Sequence, residues 1–528
     1  MVPVRYMILV SGMVMAYVSA DDMCIPECKC SDDIDGNFHI NCGKLKSVEI
    51  PRDLSKFAGF EKSIRLSLSD NAFKRVSKGD FPPNLPIVAL DLSRNRGLTI
   101  TDDAFANIKN LRSLNLDDLR LPFTSNLNFL KGMSKLQSLS LNKNYQFGDG
   151  LIPASMISGL GLNNLNDLQF QECYIKGIED GAFSGINING HLDLSANQLD
   201  HIPDELKTLN NVTSLDISQN SLRKLPSNSF SGMGELRKLS ISNNYISEKD
   251  ILVDSFNGLQ LQELSLEQSV LNTIPTPALK GLSKLKVLRL KNNPIKSIPE
   301  GAFNGSYCLE ELDISNALVE IGMVHLEDQM DCIQKLYLNN MQIREVPKFI
   351  KNFKILDFLS LDGNSIITIK KGDFVDTTVS KVSLAMNPLT EIQAGAFAEF
   401  PQSVTLVLSK TQITNLNFVR DYPYGTIREI ELKEITPICD CDLAFAEYRT
   451  YVIHGNCNLN GTRVVVISSE DFMKVTSDCW PGGRSPMKKD VWAVKGNNSA
   501  NSVESSNIGK LVLISLALIL GGRFKNLV

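Results

Sequence analysis

The 528-residue chain has few aromatics, 7% of its residues with two Trp, and only five His. His39, His191, His201, His325 and His454 are scattered, with no H-E-x-x-H or comparable spacing, which argues against a histidine-built metal centre. G-x-S-x-G and P-loop sequences are missing, and Gly159-Leu160-Gly161 lacks the third glycine of a dinucleotide fingerprint. No catalytic residue, metal or cofactor is therefore assigned, and the chain reads as a non-enzyme. Charge excess is small too: 54 Lys and Arg stand against 59 Asp and Glu, a net −5. That balance speaks against a nucleic-acid partner and against a general heparin binder. With 43% hydrophobic residues the chain is still globular. Length alone suggests three or four domains of about 150 residues each.

Apolar runs are short, and both lie at the ends. Residues 6–18 follow Arg5 and lead to Val18-Ser19-Ala20, a small-residue cleavage site. Residues 1–20 thus read as a secretory signal peptide. The second run, 511–522, is shorter than the roughly 20 residues a membrane-spanning helix needs. Before it come Asn498-Ser499-Ala500 and a polar spacer over 501–510. Small triplet, spacer and short tail together read as a glycosylphosphatidylinositol (GPI) signal, with Asn498 as the attachment residue. The rival reading is a single C-terminal helix stopped by Arg523 and Lys525. On the lipid-anchor reading, 481–498 is a stalk, 499–528 is removed, and the mature chain carries a net −8.

What the sequence has in excess is Leu, 68 residues, and Asn, 45. They recur as L-x-x-L-x-L-x-x-N-x-L, for example Leu285, Leu288, Leu290, Asn293 and Ile295, or Leu356, Leu359, Leu361, Asn364 and Ile366. The Asn slot falls at 71, 95, 119, 144, 173, 197, 220, 244, 269, 293, 317, 341, 364, 387, 411 and 435. Sixteen units near 24 residues long resemble the leucine-rich repeat. The resemblance implies an α/β solenoid, a horseshoe of about 16 repeats over 61–436 with a parallel sheet on its concave face. In L-x-L the apolar residues point inward and the x residue outward, which defines a short strand. The Asn then bends the chain, its amide bonding buried backbone groups. Cys173 substitutes for it once, as a buried thiol; Leu119, Ser269, Ala317, Met341, Thr411 and Ile435 are expected to interrupt the ladder. Phe105, Phe183, Phe230, Phe256, Phe303 and Phe397, each after a small residue, are expected to stack behind the sheet. The long step from Asn144 to Cys173 places an extra loop within 146–160.

Ten of the eleven cysteines fall into groups. Cys24, Cys28, Cys30 and Cys42 precede the repeats, and Cys439, Cys441, Cys457 and Cys479 follow them. Such clusters in a secreted chain are disulfide frameworks, with a zinc site as the alternative that an oxidising route disfavours. They resemble the N- and C-terminal caps of extracellular leucine-rich repeat proteins, here 21–60 and 437–480. That resemblance implies the pairs Cys24–Cys30, Cys28–Cys42, Cys439–Cys457 and Cys441–Cys479. Cys308 and Cys332 each sit one residue before the first apolar position of adjacent repeats, about 5 Å apart, which predicts a further bridge.

Sequons at Asn211, Asn304, Asn460 and Asn497 are glycosylation candidates. The outward strand positions supply the ligand-binding candidates. Asp167, His191, Asp193, Asp216, Glu263 and Glu267 make an acidic stretch, followed by Arg289 and Lys291, then Glu311 and Asp313. Tyr337 and Phe358 follow in adjacent repeats, near Lys335 and Lys381. Charges on a sheet face commonly serve solubility alone. Exposed aromatics instead mark interfaces, so the expected function is a cell-surface recognition, adhesion or co-receptor protein binding a basic extracellular protein. The alternatives are a secreted non-catalytic subunit or scaffold, and an innate pattern-recognition receptor.

Overall fold

The computed structural model describes residues 24–465 apart from 122–126, 146–148, 304–307, 375–376, 398–402, 423–424, 436, 451 and 460–461. It also describes Cys479 and two paired strands, Arg5–Ile8 and Ala16–Ser19. Asn304, Asn460, Asn497, Asn498 and the C-terminal tail lie outside the described residues. The chain divides into two compact units, one of 1–366 with 376–383, the other of 367–375 with 384–528.

The first unit starts with an antiparallel pair, β1 (Lys29–Asp32) and β2 (Phe38–Asn41), and β2 lies parallel to β3 (Ile64–Ser67). The repeat strands then follow in chain order. They are β4 (Ile87–Asp91), β5 (Ser113–Asn115), β6 (Ser138–Ser140), β7 (Leu165–Gln169), β8 (Ile188–Asp193), β9 (Ser214–Asp216) and β10 (Lys238–Ser240). Next come β11 (Glu263–Ser265), β12 (Val287–Arg289), β13 (Glu311–Asp313), β14 (Lys335–Tyr337), β15 (Phe358–Ser360) and β16 (Lys381–Ser383). Each is parallel to the next, and Leu192, Leu215, Leu239, Leu264, Leu288, Leu312, Leu336 and Leu359 stand in one register row. All eight are at most 2% exposed, and burying each stabilises the fold by about 1.5–3 kcal/mol. Behind the sheet Phe105 meets Phe81 and Phe129 at 6.0 and 5.7 Å, and Phe230 stacks on Phe256 at 6.3 Å.

In the second unit β17 (Val404–Val407), β18 (Ile427–Leu432) and β19 (Val452–Leu459) are parallel, and β20 (Thr462–Val465) pairs antiparallel with β19. Helix α1 (Cys441–Arg449) starts at Asp440, whose carboxylate accepts a bond from the Leu443 N–H at 2.9 Å. Phe374 and Phe397 stack at 5.2 Å.

Disulfides tie both ends. Cys24–Cys30 and Cys28–Cys42 hold the first cap, where Phe38, Phe57 and Phe60 pack at 5.4–5.8 Å. Cys439–Cys457 and Cys441–Cys479 hold the second, and Cys308–Cys332 joins two neighbouring repeats with Cα atoms 5.3 Å apart. A solenoid leaves apolar ends that such caps cover.

The slot residue ties each repeat to the one before it. Nδ2 of Asn197 donates to Phe170 O, Leu194 O and Ser195 O, while its Oδ1 accepts from Cys173 N and Ile175 N. Cys173 fills the same role with sulfur, its Sγ 3.3 Å from Leu141 O and 3.4 Å from Gln171 O. Where the slot departs from Asn the ladder thins. Thr411 reaches only Leu408 O of its own repeat, and Ser269 Oγ is buried with no hydrogen-bond partner.

One feature of the bend is invisible in the periodicity. The residue just before every slot has positive φ, from Asp70 and Arg94 through Asn340 to Glu434, although only Gly363 among them is glycine. The conformation costs about 1–3 kcal/mol for other residues. It is held because the same N–H bonds the next repeat, as from Arg94 N to Asp117 O and from Lys143 N to Gln171 O. At 363 a Cβ would fall on Oδ1 of Asn340, so any other residue there would have to displace that side chain.

Candidate protein-binding face

Successive strands lie about 4.8 Å apart, so outward side chains at one register position touch across the sheet. On β10 to β14 this builds a chain of alternating charge. Lys238 Nζ lies 2.7 Å from Glu263, and Arg289 bridges Glu263 at 3.8 Å and Glu311 at 2.8 Å. Lys335 closes the chain 3.8 Å from Glu311. Partly exposed pairs of this kind add little stability, but several in series fix the orientation of long side chains.

The acidic stretch is less free than its sequence suggests. Asp193, Asp216 and Asp313 each turn Oδ1 to the backbone N–H two residues on, of Ser195, Ser218 and Ser315, at 2.8–2.9 Å. These are Asx turns that shape the bend after the strand. Asp167 accepts from Ser138 and Gln169, and His191 Nδ1 is 3.1 Å from Ser214 Oγ. Glu267 is half-buried, and desolvation pushes its carboxyl above the usual range. Asp313 adds to that shift, while Lys291 and Arg289 oppose it. Glu267, Lys291, Arg289 and Asp313 therefore share one electrostatic neighbourhood.

Tyr337 and Phe358 meet edge to face, ring centroids 5.3 Å apart at 70°. Register places Tyr337 beside Ser360 and Phe358 beside Lys335, so the rings meet diagonally across β14 and β15. Burial, then Glu311 and Asp313, push the Tyr337 phenol above its ordinary value. The structure thus brings Glu263, Arg289, Glu311, Tyr337 and Phe358 into one band. Asp193 and Asp216 stand apart from it, on β8 and β9.

Two features escaped the sequence reading. Lys238 begins the charge chain, and its spacing from Glu263 by one repeat was the available signal. Tyr145 and Tyr174, 5.2 Å apart, each follow a slot residue at the edge of the sheet rather than on its face. Among the described residues no cluster of His, Cys, Asp and Glu is arranged to hold a metal ion, and no helix is long and apolar enough to cross a membrane.

Residues 190–246 and 259–318 match the family described as Leucine rich repeat. Lumican of Coturnix japonica is 28% identical over 286 residues, covering 51% of this chain and 78% of lumican. Podocan of Mus musculus is 26% identical over 403 residues, 74% of this chain and 62% of podocan. Toll-like receptor 8 of Homo sapiens is 29% identical over 224 residues, 38% of this chain and 20% of the receptor. Among solved structures, a TLR13–ssRNA13 complex aligns with a TM-score of 0.53 at 18% identity, covering 81% of this chain and 75% of that one. That likeness is one of fold. Repeats, disulfides near both ends and relatives agree in supporting an extracellular leucine-rich repeat protein.

Proposed function

We propose that the protein recognises an extracellular protein ligand through the outward face of β10 to β15, with Tyr337 and Phe358 as the anchor. The observation that carries this reading is the aromatic pair itself, two rings in contact on a strand face beside oriented charges. Aromatics dominate binding hot spots, and flanking charges set register and approach more than affinity. The extracellular relatives support the class of function. The charge pattern favours a partner carrying both signs over a uniformly basic one, because Glu263 and Glu311 are already paired with cations. Cross-linking and mass spectrometry on the intact protein at its cell surface identify the ligand. Tyr337→Ala with Phe358→Ala then weakens binding at least about tenfold, about 1.4 kcal/mol. Unchanged affinity rejects the assignment.

The same reading puts the protein on the outer leaflet through a lipid at Asn498, so a phosphatidylinositol-specific phospholipase releases it into the medium. Retention on the membrane favours the single-helix alternative. Asn211 is proposed as a glycan site: it is exposed, with Nδ2 2.8 Å from Asn187 Oδ1, at the strand edge opposite the slots.

A further inference from the structure

The slot edge of the sheet, where the strands run into their bends, carries a surface unrelated to the sheet face. Tyr145 and Tyr174 occupy the position after the slot in adjacent repeats. They are 39% and 54% exposed, with ring centroids 5.2 Å apart at 45°. Two large, partly exposed rings held together form an apolar platform. Cations frame it. The Arg96 guanidinium holds Asp118 through Nε at 3.0 Å and Nη2 at 2.7 Å, yet its side chain stays 56% exposed. Lys143 Nζ is fixed 3.2 Å from Glu172, and Arg120 and Lys176 are exposed on the same edge. The Lys176 stem runs along the backbone at Gly150, where a Cβ would meet its Cγ at 3.0 Å. Arg96, Arg120, Lys143 and Lys176 stand here with Asp118, Glu172 and, near Arg96, Asp70, a local balance less acidic than that of a chain whose net charge is −5.

We propose that this edge binds a sulfated glycan chain, with sugar rings stacked on Tyr145 and Tyr174 and sulfate groups met by Arg96, Arg120 and Lys143. The overall charge does not oppose this, because at physiological salt a charge is felt over only about 8 Å and the local field decides. The alternation of cation and carboxylate along the edge separates the ligand classes. An unbroken run of phosphates, or a run of acidic side chains, would be repelled at Asp118 and Glu172. A sulfated glycan carries its charged groups on hydroxylated rings, and ring hydroxyls can donate hydrogen bonds to the carboxylates, which phosphate runs and acidic side chains cannot do. Secretion and the disulfide caps also place the edge where such glycans occur.

The test uses the intact secreted chain on immobilised heparin. Retention at physiological salt is expected, with loss on chemically desulfated heparin and on raising the salt to about 1 M. Arg96→Ala with Arg120→Ala weakens binding at least tenfold. Tyr145→Ala with Tyr174→Ala weakens it at least fivefold, while Tyr145→Phe with Tyr174→Phe preserves it. Arg120→Ala alone touches only an exposed side chain, and an unchanged melting curve for it separates lost binding from lost fold. No retention of the wild type, or retention insensitive to the alanine pairs, overturns the proposal. Equal capture by polyglutamate or by single-stranded RNA overturns it in favour of a general anion surface.

Discussion

The repeats marked by Asn197, Asn220 and Asn244 and those marked by Ala317 and Met341 have the same strands but are tied together differently. In the first group each buried amide donates to a carbonyl of the preceding repeat: Phe170 O, Leu194 O and Ile217 O, at 2.8–3.1 Å. Each also accepts an N–H from that repeat. In the second group two successive slots are apolar and buried, at 4% and 6% exposure, and offer no amide. Those are the two repeats that Cys308–Cys332 joins, at the other end of their strands. A stacked repeat contacts only its neighbours, so each junction needs its own tie. At the junctions compared, the tie is a buried amide at one edge or, between the repeats of Ala317 and Met341, a covalent bond at the other.

Breaking the amide tie has the largest expected effect. Asn220→Ala strands the carbonyls of Leu194, Ile217 and Ser218 and the N–H of Leu199. The cost is about 4 kcal/mol, since each buried polar group left unmade costs about 1–3 kcal/mol. Amide hydrogen exchange reads it as lost protection across β8 to β10. A cost under about 1 kcal/mol would show that the slot amides are not the tie. Breaking the covalent tie comes next. Cys308→Ser with Cys332→Ser opens a loop of 24 residues, which costs about 3 kcal/mol. Protection is lost on β13 and β14 and kept on β8 to β10. Uniform loss throughout contradicts junction-by-junction stability.

The fold was legible because its signals are periodic. Sixteen slots, two clusters of four cysteines and the spacing of Cys308 and Cys332 follow from counting along the chain, while the caps and their pairing follow from the family resemblance. The bend conformation was not, because Asp70, Arg94 and Lys143 are ordinary residues held at positive φ by bonds to the next repeat. The face residues were legible by alternation, whereas their partners were not. Asp193 and Asp216 look free in a list of outward positions and are drawn to the backbone by their bends. The Tyr145–Tyr174 platform was missed because alternation describes strands and says nothing of the edge.

A smaller effect sharpens the comparison at Ser269. Its hydroxyl occupies an Asn slot but is too short to reach the preceding repeat, and it lies buried without a partner. Ser269→Ala removes a desolvated group and stabilises the protein by about 1 kcal/mol. A loss of stability of that size would mean the hydroxyl is bonded after all.

The smallest effect concerns charge beside interrupted slots. Asp117 and Glu267 both have carboxyls pushed up by burial, and each stands two residues before a slot that lacks Asn, Leu119 and Ser269. For Glu267 the folded value lies above the unfolded one, so the folded state binds the proton more tightly. Stability is then higher at acid pH and falls as pH rises from the ordinary value of 4.5 through the raised folded value. Arg289 and Lys291 limit the shift, and the group is only half-buried, so the effect is modest. Glu267→Gln cannot ionise and flattens that part of the profile. Denaturation midpoints from about pH 4.5 to about pH 7 measure it. If the variant and the wild type lose stability in parallel over that interval, the penalty does not lie at Glu267. Asp117, beside the other interrupted slot, is then the group to replace.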